Sequence, residues 1–181
     1  MGYEIAAAAE RRGADVVLVS GPTSLACPDG VRRIDVTTAA EMYDVVHLDN
    51  DADLIVMVAA VSDFTPEEET DSKIKKGGDH LTLKLKATKD ILASLGEKKR
   101  PDQTLVGFAL ETDNAEANAK AKLAKKNLDW IVLNNPTEEG AGFGTETNRV
   151  TLMGRDGSTK DLPLMAKREV AEFLLDHITG S

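Results

Sequence analysis

Three lysines, Lys73, Lys75 and Lys76, stand within four positions of the stretch DSKIKKGGD, in a chain whose formal net charge is −9. An ammonium is a compact charge suited to phosphate oxygens. Two readings follow. The preceding Glu67, Glu68, Glu69 and Asp71 neutralise a solvated loop, or the lysines wait for an anion. Asp63 ends an apolar run, where a carboxylate can hold a ribose hydroxyl or a magnesium ion, or can simply start a loop through local hydrogen bonds. Phe108 follows Gly107 at the end of another run, where its ring either flanks a base or ribose or fills the core. Lys122 and Lys126, four apart, share one helical face. Ala117, Ala121, Ala124 and Leu128 read as the apolar stripe of that helix, which leaves both lysines solvated near a helix C-terminus that favours cations. His47, His80 and His177 are scattered without paired carboxylates or cysteines and read as surface histidines. Neither a Ser-His-Asp arrangement nor a transition-metal spacing is visible.

Alternating elements must position these residues. YEIAAAAERRGA predicts a helix closed by Gly13. DVVLVSG and VRRIDV predict strands, and Thr38 with Glu41 predicts a capping box opening TAAEMYDVVHLD. ADLIVMVAAVSDF predicts a long buried strand, whereas LTLKLKAT alternates like a half-buried one. KDILASLGEKK predicts a helix stopped by Pro101, and QTLVGFAL a strand. AEANAKAKLAKKNLD predicts a helix capped by Asp113 or Asn114, and WIVLNN a buried strand. NRVTLMGRDGSTKDLPL predicts a hairpin, and AKREVAEFLLDHIT a closing amphipathic helix. Uniformly apolar strands separated by helices specify a doubly wound α/β fold with a mostly parallel sheet, here with a C-terminal hairpin and helix. Ligands in such folds bind outside the carboxyl ends of the strands, which directs attention to SGPTS, AVSDF, GFALETDN and LNNP.

With 181 residues, 41% hydrophobic and 29% charged, the chain suits a single domain, residues 1–181. The acidic balance argues against nucleic-acid binding. No apolar run of membrane-spanning length occurs and no secretory leader opens the sequence, so a cytoplasmic location is the expectation. Cys27, the single cysteine, precludes an intrachain disulfide and reads as a surface thiol. No GxGxxG or Walker loop is present, and Gly140, Gly142 and Gly144 precede a hairpin and read as loop glycines.

Taken together, RRIDVTTAAEM, AAVSDF, KIKK ten residues after Asp63, LVGFALETDN, and KKNLDWIVLNN with GFGTETN resemble the phosphopantothenate–cysteine ligase (phosphopantothenoylcysteine synthetase) family of bacterial coenzyme A biosynthesis, over nearly the whole chain. The resemblance implies a Rossmann-like homodimer. It implies that the carboxylate of 4′-phosphopantothenate attacks the α-phosphate of CTP, with Mg2+, and that the cysteine amine then displaces CMP. It further implies that Lys73 contacts the triphosphate and assists turnover of the acyl-cytidylate, as part of a flap. Asp63 would bind the nucleotide, with Met57, Val58 and Ala59 lining it. Phe108 would line the pocket, and Lys122 and Lys126 would touch the nucleotide, against the solvated reading of that face. Lys89, Asp90, Ile91 and Leu92 match a further nucleotide-binding segment, in which the family often has a proline where this chain has Lys89. The resemblance names no metal ligands.

The family's first strand, the loop that ends in a serine-rich turn and carries phosphopantothenate contacts, and an asparagine used in the second half-reaction have no counterpart before Met1-Gly2, so binding of CTP with weak turnover is the expectation. In many bacteria the family is fused to a flavin-dependent decarboxylase. Two other readings share the fold class: a nicotinamide-dependent oxidoreductase, which leaves KIKK unexplained, and a non-catalytic nucleotide-binding or dimerisation module.

Overall fold

A computed structural model describes residues 1–48, 51–68, 72–73, 80–110, 114–134, 140 and 144–180. Helix α1 (Gly2–Arg11) leads to β1 (Val17–Ser20) and β2 (Arg32–Asp35), then α2 (Ala39–Leu48) and β3 (Leu54–Met57). Two short strands, β4 (Phe64–Pro66) and β5 (Leu85–Ala87), precede α3 (Ile91–Lys98), β6 (Thr104–Leu110), α4 (Ala115–Lys125) and β7 (Trp130–Asn134). The chain closes with β8 (Thr147–Asn148), β9 (Val150–Gly154), β10 (Thr159–Asp161), β11 (Met165–Ala166) and α5 (Lys167–Thr179).

The central sheet has the order β10-β9-β7-β6-β3. β3, β6 and β7 run parallel, and the β9–β10 hairpin is antiparallel to them. Its two faces bury separate cores. One core gathers Leu95, Leu105, Leu123, Leu128 and Ile131 beneath α2, α3 and α4. The other gathers Ile5, Val106, Val132, Leu152 and Leu174 beneath α1 and α5. Alternation does this sorting: Leu105 and Ile131 point one way, Val106 and Val132 the other. Helices on both faces therefore match the doubly wound reading, but the sheet is mixed, and β1 and β2 form a separate parallel pair among the described residues.

Local chemistry explains several boundaries. The capping box forms as the sequence demands: Glu41 N–H donates to Thr38 Oγ1 at 3.1 Å, and Thr38 N–H donates to Glu41 Oε2 at 3.2 Å. Gly13, at φ 82°, turns the chain one residue beyond the C-cap Arg12. Arg11 and Arg12 clasp Glu172 and Asp176 of α5 at 2.6–2.9 Å, tying α1 to α5 on their face of the sheet.

Three expectations change. ADLIVMVAAVSDF forms a strand only over Leu54–Met57, and LTLKLKAT only over Leu85–Ala87, where it is exposed. In α4, Ala119 and Leu123 are buried whereas Ala117, Ala121 and Ala124 are exposed. Alanines are spread around that helix, so the single bulky Leu123, followed by Leu128, selects the buried face.

Candidate active site at the carboxyl ends of the strands

Asp90 caps α3, accepting from Ala93 N–H at 3.0 Å, and Lys126 reaches it from the end of α4 at 2.8 Å. A close helix approach permits this. A Cβ on Gly96 would lie 1.9 Å from the Lys126 carbonyl oxygen, so only glycine lets α3 sit there. Asn127, in the left-handed region at φ 53°, then donates from Nδ2 to the Gly96 carbonyl at 2.7 Å. Burial alone pushes the Asp90 carboxyl up, but the Lys126 and Ala93 hydrogen bonds outweigh it and hold it below the usual carboxylate range. Lys126 is thus half-buried and paired rather than solvated, while Lys122, one turn earlier, is exposed on the same side.

Lys89 precedes this cap and lies over the Tyr43 ring, 4.4 Å from its centroid. Tyr43 is itself fixed. Its hydroxyl lies 3.0 Å from Ser94 Oγ, and His47 Nε2 lies 2.9 Å from the same oxygen. His47 Nδ1 donates to the Tyr43 carbonyl at 2.7 Å, so in the neutral ring Nε2 accepts from Ser94. His47 is consequently a half-buried lock between α2 and α3, not the surface histidine expected. Scattered positions 43, 47 and 94 gave no sequence signal for it, because only the packing of two helices brings them together.

Ile91 is buried and Leu92 packs against the same core, so from this segment only backbone and the neighbouring Lys89 and Asp90 side chains face outward. Across the sheet, the carboxyl ends of β3, β6 and β7 open a cavity of about 200 Å3. Val58, Ala59 and Phe108 wall it together, as three of the expected residues. Met57 belongs to the opposite core. Phe108 packs on the α1/α5 core yet keeps a face in the cavity. Asn134, Asn148 and Lys167 complete its polar side. The Asn134 carboxamide oxygen is enclosed and has no hydrogen-bond partner among the described residues. Lys167 begins α5 and donates to the Thr145 carbonyl. The strand end LNN drew attention in the sequence, but Asn148 and Lys167 come from short β8 and the start of α5, which carry no distinctive spacing.

Asp63 and Lys73 are exposed, and among the described residues no hydrogen bond or ion pair joins either side chain to the residues above. The Asp63 carbonyl accepts from Thr88 N–H at 2.9 Å, which ties the start of β4 to the end of β5. Lys75, Lys76, Glu69, Asp71, Asp113 and Gly142 lie outside the described residues. Among the described residues no group of three or more His, Cys, Asp or Glu could hold a metal ion. Cys27 is exposed, as expected.

Comparison with known proteins decides the family. The sequence pattern of the DNA/pantothenate metabolism flavoprotein C-terminal domain matches residues 1–180. The chain belongs to that family. It is the family to which AAVSDF, KIKK and GFALET pointed. The chain is 49% identical over 182 residues to the coenzyme A biosynthesis bifunctional protein CoaBC of Bacillus subtilis (strain 168), covering 99% of this chain and 45% of that protein. It is 44% identical over 180 residues to a cysteine/cysteine sulfinic acid decarboxylase from an unknown prokaryotic organism, covering 98% of this chain and 50% of that protein. The crystal structure of the C-terminal domain of a CoaBC protein superposes with a TM-score of 0.82 at 38% identity, covering 98% of this chain and 79% of that one. The chain spans about half the length of the curated relatives it matches. Among the described residues no helix is long and apolar enough to cross a membrane.

Proposed function

We propose that this chain performs the ligase half of a bifunctional coenzyme A protein, joining 4′-phosphopantothenate to cysteine through an acyl-cytidylate made from CTP. The observation that carries the reading is the cavity at the carboxyl ends of β3, β6 and β7, walled by Val58, Ala59 and Phe108. Lys89, Asp90, Lys122 and Lys126 lie on the α3/α4 side, and the Val58–Ala59–Phe108 cavity lies on the α1/α5 side. A reaction between a carboxylate and a triphosphate needs two substrates to meet at one edge while cations offset their repulsion. Lys122 and Lys126 would hold phosphate oxygens, with Asp90 keeping Lys126 in place. Asp63 and the Met57–Ala59 strand end would line the nucleotide, and Lys73 would close over the triphosphate. Mg2+ would enter on the nucleotide and screen its oxygens; no cluster of protein carboxylates claims it among the described residues.

The protein works as a homodimer in this reading. The β4–β5 arm supports that: Phe64, Leu81, Leu83 and Leu85 are all more than half exposed, a row of apolar side chains that a second copy would cover. In the full-length protein the ligase half would be joined to a flavin-dependent decarboxylase, as the word bifunctional in its relatives' name suggests.

The test separates the half-reactions. Pyrophosphate should leave CTP when 4′-phosphopantothenate is added, and CMP should leave only when cysteine follows. Pyrophosphate release that ignores the acyl substrate, or that runs equally on ATP, contradicts the proposal.

A further inference from the structure

Lys89 and Asp90 are neighbours at the head of α3, yet Asp90 takes its cation from Lys126, 36 positions along the chain, at 2.8 Å. Lys89 stands instead over the Tyr43 ring, 4.4 Å from its centroid, and among the described residues no carboxylate pairs with it. The two lysines are thus held in different ways. Asp90 offsets the charge of Lys126. An aromatic face attracts an ammonium through its quadrupole and carries no net charge, so the ring fixes where Lys89 stands and leaves its positive charge in full. The ring is itself held. His47 stacks on it, with centroids 4.0 Å apart and planes inclined at 24°. With His47 Nδ1 donating to the Tyr43 carbonyl, the Tyr43 hydroxyl donates to Ser94 Oγ at 3.0 Å, and Ser94 donates to His47 Nε2 at 2.9 Å. Ser94 N–H in turn donates to the Asp90 carbonyl at 3.0 Å, so the first turn of α3, which Asp90 caps, also fastens the ring.

We propose that Tyr43 is a positioning residue of the nucleotide site: its ring, braced by His47 and Ser94, holds the Lys89 ammonium in place for the phosphate tail of the nucleotide. This rests on the ligase reading above, which supplies the nucleotide. A lysine free in solvent samples many rotamers, and ordering it when a ligand binds costs affinity. Tyr43 removes part of that cost by placing the ammonium beforehand. Tyr43 is half-buried and Lys89 exposed, so the platform belongs to the packed α2/α3 layer and the charge faces the open side. Lys126, offset by Asp90, and Lys89, offset by nothing described, then flank the α3 cap as one neutralised and one available cation.

Calorimetric titration with CTP and with CMP, magnesium present, tests this on wild type, Lys89→Met, Tyr43→Leu, Tyr43→Phe and the double variant Lys89→Met/Tyr43→Leu, each checked for folding by circular dichroism. Lys89→Met should weaken CTP roughly tenfold, the effect of one hydrogen bond to a charged group, and CMP by less than about threefold, because CMP carries fewer phosphate charges. Tyr43→Leu should weaken CTP about fourfold through loss of the cation–π contact, and Tyr43→Phe, which keeps the ring, should restore binding to within about 1.5-fold of wild type. A purely structural role would cost the same whether or not Lys89 is present. The platform predicts instead that Tyr43→Leu adds less than about 1.5-fold to Lys89→Met, since the two residues act as one unit. Proton NMR of the wild type gives a readout that needs no Tyr43 variant: the Lys89 ε-methylene protons, assigned by their loss in Lys89→Met, should lie upfield under the ring current. Unshifted protons overturn the platform, as does an additive double variant or an equal loss for CTP and CMP. Wild type that binds CTP with Lys89→Met unchanged overturns the platform alone. Wild type that binds no CTP removes the ligase reading and the platform together.

Discussion

The central sheet and the β4–β5 arm are built from similar letters and end in opposite environments. In β6 and β7, Leu105, Val106, Ile131 and Val132 are buried to within 1% of complete enclosure. On the arm, Leu81, Leu83 and Leu85 are 65%, 60% and 56% exposed. β6 and β7 have neighbours on both edges and helices on both faces. The arm has one pairing, Phe64 to Ala87 through Pro66 to Leu85, and no described layer above its leucines. Burial thus follows what packs on a strand, not how apolar the strand is.

The largest expected effect lies in the sheet. Leu105→Ala should lower unfolding free energy by about 2–5 kcal/mol in urea melts, the usual range for a buried leucine. Leu83→Ala should change the dilute protein by less than about 0.5 kcal/mol. Equal losses would show that the arm is packed within one chain. Next comes chemistry. Lys73→Gln should slow pyrophosphate release from CTP about 100-fold, or about 2.7 kcal/mol of transition-state stabilisation. Lys160→Gln, at an exposed position on β10, should stay within about twofold. Similar effects at both lysines would remove Lys73 from the reaction. A smaller change is expected for association. Leu83→Asp should raise the dimer dissociation constant about tenfold in sedimentation, while Lys160→Gln leaves it unchanged; an unaffected constant moves the interface away from the arm.

The smallest effect is electrostatic. Asp90 is held below its ordinary pKa, so its contribution is complete above the usual aspartate range and is lost as pH falls through its folded value. Asp90→Asn should therefore cost up to about 1 kcal/mol at neutral pH, because the pair is half exposed. It should cost nothing once pH lies below that folded value. A constant deficit down to that pH would mean that Asp90 acts through shape and not charge.

Much of this was legible in the residues. Thr38 and Glu41 announce their capping box because its atoms lie within one turn. Asn114, Gly13 and Pro101 mark element ends for similarly local reasons. The strand ends GFALETDN and LNNP, with Phe108 and Asn134, were visible where apolar runs stop, whereas Val58 and Ala59 lay inside a predicted strand and were singled out only by the family resemblance. The rest depends on contacts distant in sequence. Lys126 looked solvated because its partner Asp90 is 36 residues away and comes near only through the Gly96 approach. The Tyr43–His47–Ser94 lock spans two helices. LTLKLKAT alternates correctly for a strand with one wet face, yet alternation cannot say whether the other face is covered by the same chain.

Titration of this chain with CTP and magnesium, against ATP and NADH as controls, tests the central claim most directly. The account predicts saturable binding of CTP, at least about tenfold tighter than ATP and without measurable binding of NADH, and weakened when Lys126 is replaced by methionine. Binding of NADH, or of ATP as tightly as CTP, would contradict it.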